Sequence, residues 1–385
     1  MSLIQRLALV GIMLAGAALF LYALQSDPPQ EEQSEQVAAN DPTTVPANVP
    51  PAKPGVLDSN ENCKACHEEI YAEWEADRHS LAWVGELYTE LSNNHTDPNC
   101  FSCHAPRPVL ETGLDSPAES RGENRESGIN CITCHRRGNH VAGPSKTHQA
   151  VAGREPDCGP VYDARMARSG AQEETAKYCG VCHNLHGTSD EFLGSKYARE
   201  EDMTCLSCHM QEIVAPVVTG GPPVARMAHG WPGGHSKRML QKALRMDSQR
   251  EGELIKVRIT NAGAGHKVPT DARHRAIYVR IAFFDEYGQP VRVTTMDPLT
   301  QREVSDLEVN MDVIRLFYRH EQREPTQIPP AGTLGKDNWR DSEFSIPEGA
   351  KNGRVRLRLY YHLNWSWPMR KGTLVEEQEI SLAEE

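Results

Sequence analysis

Cys63-Lys-Ala-Cys66-His67 is the first of five copies of one pattern, and the spacing inside it decides how most of the chain must be built. The others are Cys100-Phe-Ser-Cys103-His104, Cys131-Ile-Thr-Cys134-His135, Cys179-Gly-Val-Cys182-His183 and Cys205-Leu-Ser-Cys208-His209. Two thiols three residues apart can add across the two vinyl groups of one haem, and the histidine that follows then lies under the iron as its proximal ligand. With 11 Cys and 16 His in 385 positions, random order would give about 0.01 such motifs per chain. The competing reading is zinc held by Cys and His. An odd number of pairs, each followed at once by His, fits it poorly, and the uniform tight spacing fits a disulfide scaffold worse. The motifs absorb ten cysteines and imply five covalently bound haems. The eleventh, Cys158, stands alone in Pro156-Asp157-Cys158-Gly159 and reads as an unpaired thiol.

Residues Leu7 to Leu24 form an uncharged apolar run preceded by Arg6 and followed by an acidic stretch, Asp27 to Glu35. Its length is at the lower limit for a membrane helix, and the charge bias puts the N-terminus in the cytoplasm. A signal peptide is the alternative, but Tyr22-Ala23-Leu24-Gln25 is a poor cleavage site, so residues 1–24 are read first as an uncleaved anchor. Either way the remainder is exported, to the periplasmic side of the inner membrane, where haem c is attached. Residues 25–57 hold seven prolines and no apolar periodicity, the composition of a disordered tether.

The formal charge is −12, and haem propionates would deepen it. Nucleic acid is an improbable partner. Redox proteins with a basic docking patch are the expected ones, either a quinol-linked membrane complex or a periplasmic or outer-membrane cytochrome. Homo-oligomerisation is left open.

The motif-bearing segment, 58–247, allows about 38 residues per motif, too few for an apolar core around each. Helical periodicity is confined to patches such as Glu68 to Trp83 and Ser236 to Met246. From about Gly252 the pattern changes to period two. Leu254 to Thr260, Ala276 to Phe284, Val291 to Thr295, Gly353 to Tyr360 and Thr373 to Leu382 read as strands, with a turn at Asp285-Glu-Tyr-Gly288. The predicted class is α+β: a multihaem segment of short helices and loops, then an antiparallel β-sandwich over 248–385 that has no Cys.

Each iron also needs a distal ligand, and eleven histidines lie outside the motifs. A histidine a few residues from its own motif cannot easily reach round its own porphyrin, so it would serve a neighbouring haem. The candidates are His79, His140, His229 and His235, then His95, His148 and His186. His266, in Asn261-Ala-Gly-Ala-Gly265-His266-Lys-Val-Pro269-Thr270, would be donated by the β-rich part; its flanking glycines permit close approach to a flat cofactor. His274, His320 and His362 read as surface residues, and nothing marks Met203 or Met210 as ligands.

Cys63-x-x-Cys66-His67 followed by Tyr71, Trp74 and His79, with His140 after the third motif, resembles the cytochrome c family typified by the tetrahaem acceptor of hydroxylamine oxidoreductase. The stretch from His229 through Thr270 is similar to multihaem cytochromes that append a β-sandwich. Filament-forming extracellular cytochromes share the general likeness, which spans about residues 58–300. It implies a closely packed haem chain and electron relay. The chain departs from the pattern in having five motifs rather than four, Arg136-Arg137-Gly138 where the family has a Gly-Pro-Gly-like run, and Asp77 where Ser is usual. The competing function is a nitrogen- or sulfur-compound oxidoreductase, which would need an open iron position. All five motifs end in His and no Cys-x-x-Cys-Lys variant occurs, so relay is the expected activity.

Overall fold

The computed structural model describes residues 60–137, 140–141, 170–315, 327–330 and 338–383. Residues 1–24 and the 25–57 tether lie outside the described residues, as do His148, Cys158 and His320. Among the described residues no helix is long and apolar enough to cross a membrane.

The motif-bearing part is made of short helices. Cys131–His135 and Cys205–His209 are helical turns opened by Asn130 and Thr204, whose partners three residues on, Thr133 and Ser207, return the capping bond. A helical turn places residues i, i+3 and i+4 on one face. Each motif thereby presents two sulfurs and an imidazole together.

Longer helices run over Glu68–Glu75 (α1), Glu86–Leu91 (α2), Gln172–His183 (α3), Thr188–Leu193 (α4) and Lys237–Ala243 (α5). The expected helix to Trp83 stops at Glu75. Asp77 accepts the His79 amide, and the Ser80 hydroxyl donates to the carbonyls of Glu75 and Asp77. Such local side-chain bonds compete with the helical ladder. Likewise α5 ends at Ala243, and Leu244–Glu251 is a strand, because Leu244 and Met246 are buried in alternation with exposed Arg245 and Asp247.

Two-residue strands Arg136–Arg137 (β1) and His140–Val141 (β2) pair after the third motif, and a hairpin of Glu212–Pro216 (β3) and Pro223–Met227 (β4) follows the fifth. The β-rich part holds Leu244–Glu251 (β5), Leu254–Asn261 (β6), Ala276–Phe284 (β7), Pro290–Val291 (β8), Val293–Met296 (β9), Glu303–Asp306 (β10), Val309–Arg315 (β11), Trp339–Ser345 (β12), Arg354–His362 (β13) and Thr373–Ser381 (β14). One antiparallel sheet runs β11-β7-β13-β14 with β8 beside β7, and a second runs β12-β6-β5. The predicted strand Val291 to Thr295 is broken at Arg292, its two pieces pairing with different strands. Ile255, Val257 and Ile259 of one sheet share an apolar core with Ile277, Ile281, Leu357 and Leu359 of the other.

His362, expected at the surface, is 1% exposed and packs edge-on against Tyr278. It lies on the face of β13 opposite Val355, Leu357 and Leu359, beside Tyr278 of the neighbouring strand, and is covered by the chain at Gly372.

Candidate functional site

The five motifs gather into one cluster. The Cys63 thiol lies beside Cys131, Cys103 beside Cys182, and Cys179 beside Cys205. The Tyr178 hydroxyl donates to the Cys134 carbonyl at 2.6 Å, tying the third motif to the fourth. The fourth motif therefore touches the second, third and fifth.

Three histidine pairs face one another across this cluster. His79 and His183 have ring centres 6.2 Å apart, His135 and His229 also 6.2 Å, and His209 and His266 6.4 Å. Two imidazoles bound from opposite sides to one iron, each at about 2 Å from nitrogen to metal, have ring centres about 6 Å apart. The separations fit an iron between each pair. They are too long for ring stacking in contact. Among the described residues no three His, Cys, Asp or Glu side chains converge where a bare metal ion would bind.

In most of the motif and facing histidines the other ring nitrogen is engaged. The Nδ1 atoms of His67, His104 and His209 lie 2.6, 2.7 and 2.7 Å from the carbonyl oxygens of Val217, Ala82 and Pro232. Those of His229 and His266 lie 3.1 and 2.9 Å from the carbonyls of Met227 and Lys267. A carbonyl fixes the proton on Nδ1 and leaves the Nε2 lone pair for a metal. Burial reinforces neutrality: it pushes His79 down to about 3 and His209 down to about 4, and lowers His104 and His229.

The remaining candidates are placed differently. His95 stacks on Trp83 at 4.8 Å and directs Nε2 at the Trp83 carbonyl, 2.9 Å away. That contact leaves Nδ1 as the nitrogen this ring could offer a metal. His235 sits with Nε2 3.9 Å from buried Asp77, its pKa pushed down by burial to about 4. His186 is half-buried in the turn after the fourth motif, and no facing imidazole accompanies it among the described residues. His140 pairs its backbone with Arg137; its side chain lies outside the described residues, as His148 does wholly. The ring against His104 is Tyr88, stacked at 4.1 Å.

The loop carrying His266 reaches from the β-rich part onto α4. Asn261 is fully buried, donates to the His266 carbonyl and accepts the Ala264 amide. Lys267 pairs with Glu191 at 2.7 Å, and the hydroxyls of Thr270 and Thr188 meet at 2.6 Å. A Cβ at Gly265 would come within 2.7 Å of the Phe192 ring. This glycine is required by a protein contact, where close approach to a cofactor was the expectation.

Two carboxylates beside candidate ligands escaped sequence reading. Asp271 places Oδ2 3.1 Å from Nδ1 of His183, in a left-handed backbone conformation (φ 69°). Burial works against its charge, but His183 and Arg275 hold the carboxyl well below the usual range. Asp77, with its side chain 1% exposed, lies 3.5 Å from Nδ1 of His79. Its only sequence signal was the departure from the family's Ser.

Residues 62–136 match the family model described as cytochrome c554 and c-prime. Among solved structures, the chain is similar to a penta-heme cytochrome c552 from Thermochromatium tepidum, with TM-score 0.56 and 21% identity over 86% of this chain and 100% of that one. A superoxide reductase from Nanoarchaeum equitans matches 37% of this chain at 14% identity, with a TM-score of 0.19 that carries no argument. No curated protein sequence matches. The family match and the shared fold support a multihaem c-type cytochrome, an electron-transfer protein carrying covalently bound haem c.

Proposed function

We propose that this protein is a pentahaem cytochrome that relays electrons between redox partners on the periplasmic side of the inner membrane, through closely packed, mostly bis-histidine haems. The reading rests above all on the three histidine pairs at 6.2–6.4 Å. Cys63/Cys66, Cys100/Cys103, Cys131/Cys134, Cys179/Cys182 and Cys205/Cys208 would hold the haems, with the histidine after each pair as proximal ligand. His229, His79 and His266 would be distal ligands opposite His135, His183 and His209. Bound haem supplies one-electron ferric/ferrous chemistry. The chain's own contribution is to fix imidazole tautomers through Nδ1 and to close both axial positions. The appended strands would form a two-sheet sandwich, as their shared core suggests. The N-terminal 24 residues would tether the molecule to the membrane, and the net charge of −12 would favour donors and acceptors with basic docking faces.

The stacked Tyr88 beside His104 favours a second reading at that position, an oxidoreductase acting on a small nitrogen or sulfur compound at a five-coordinate haem. Stopped-flow reduction followed by reoxidation with a soluble c-type cytochrome separates the two. Relay predicts full reduction and reoxidation at rates unaffected by cyanide or nitric oxide. Inhibition by either, with turnover of hydroxylamine or nitrite, would overturn relay in favour of the enzyme.

A further inference from the structure

The axial histidines are alike in presenting Nε2 and unlike in what holds Nδ1. His67, His104, His209, His229 and His266 face neutral backbone carbonyls. The pair His79 and His183 faces carboxylates on both sides: Asp271 at 3.1 Å from His183 and Asp77 at 3.5 Å from His79. Resting on the reading that this pair ligates the haem of Cys179 and Cys182, we infer that Asp271 and Asp77 are positioning residues that make it the lowest-potential haem of the protein. A carboxylate on the far nitrogen raises the basicity of an imidazole ligand, and a more basic ligand stabilises ferric over ferrous iron.

Three observations converge on this haem. Asp271 belongs to the loop from the β-rich part and adopts φ 69°, a conformation that costs an L-residue energy and that Asp tolerates better than most. Its neighbour Thr270 is pinned to Thr188 at 2.6 Å, so the carboxylate is aimed from a fixed point. Arg275, whose Nη1 is 4.0 Å from the same Oδ2, keeps the carboxylate charged while lying farther from it than the His183 nitrogen does. Asp77 is held in place by the His79 amide, which donates to its Oδ1 at 2.9 Å, while its buried Oδ2 has no hydrogen-bond partner and lies 3.9 Å from Nε2 of His235. The fourth motif is also the one that touches three others. A low-potential haem there is the uphill step that electrons crossing the cluster meet, and the loop that supplies His266 sets its height.

The test is a spectroscopic potentiometric titration of the full-chain holoprotein, with haem content and low-spin count measured on the same samples. Failure of the wild type to show the low-spin haems would strike the ligation reading itself. Given intact ligation, Asp271→Asn keeps a hydrogen-bond acceptor and removes the charge. It is expected to raise one potential, the lowest, by at least tenfold in that haem's reduction equilibrium, about 59 mV for one electron. Asp271→Glu is expected to restore most of the difference. Asp77→Asn is expected to raise the same potential by less, and it carries the test if the Asp271 variants do not load haem. No selective change in the lowest potential, or a shift spread evenly over all of them, would overturn the inference.

Discussion

From Leu240 onward the chain buries Ile, Leu, Val and Phe side chains that touch one another continuously, and all members of the main apolar cluster lie there. Between Asn60 and Met210 the buried apolar residues are scattered: Tyr71, Tyr88, Ala105, Val109, Ala171, Ala176, Phe192 and Met210. In their place stand motif cysteines and facing imidazoles at iron-ligating distance. The contrast teaches that the β-rich part is held by its own side chains, whereas the motif-bearing part is organised around what those cysteines and histidines hold. Where the two meet, the second region steadies the first through the loop from Asn261 to Arg275.

The largest test of that division is Leu357→Ala in the fully buried centre of β13. It should cost about 2–5 kcal/mol, read as a lower Tm for the strand-rich transition, while the haem absorption spectrum stays unchanged at lower temperature. Parallel loss of haem ligation would erase the distinction between the regions. His266→Ala acts at the junction instead. One haem should pass from low-spin to high-spin with the others unaffected, and an intact low-spin count would remove His266 from the ligand set.

Within the motif-bearing part, Glu73 and Arg226 form an ion pair at 2.6 Å, and Glu73 also accepts the His229 amide. Arg226→Ala should cost about 1.5–3 kcal/mol in urea denaturation. Burial tends to raise the Glu73 carboxyl, but Arg226 and the His229 amide hold it below its usual value. The stabilisation is then complete above the unfolded glutamate pKa of about 4.3 and is lost as pH falls through the lower folded value. The stability gap between wild type and Glu73→Gln should close over that acid range; a constant gap would show that charge is irrelevant there. The smallest effect is expected at Lys267→Ala, whose partly exposed pair with Glu191 should contribute at most about 1 kcal/mol.

Much of this was legible in the chain because the chemistry is local. Cys-x-x-Cys-His needs one helical turn, and strict alternation in Arg354–His362 needs one strand. Ala276–Phe284 was equally readable, although as a central strand it is buried on both faces. The histidine pairs were legible only as a pool of candidates, since His79 and His183 meet across 104 positions. His95 ranked behind His79 in sequence, and the fold shows its Nε2 turned to the Trp83 carbonyl. Asp271 was illegible because its role depends on a left-handed residue in one region aimed at a histidine 88 positions earlier. The β12 strand was missed because Trp339-Arg-Asp-Ser-Glu-Phe-Ser345 is mostly polar; pairing along the whole of β6 makes it a strand.

The central claim is that facing histidines close the axial positions of covalently attached haems. Low-temperature EPR of the purified, oxidised protein, with haem quantified as the pyridine haemochrome, tests it most directly. The account expects five haems per chain, with low-spin signals from the haems of the third, fourth and fifth motifs that do not change on adding cyanide or nitric oxide. Fewer than three low-spin haems, or high-spin signals dominating the spectrum, would contradict it.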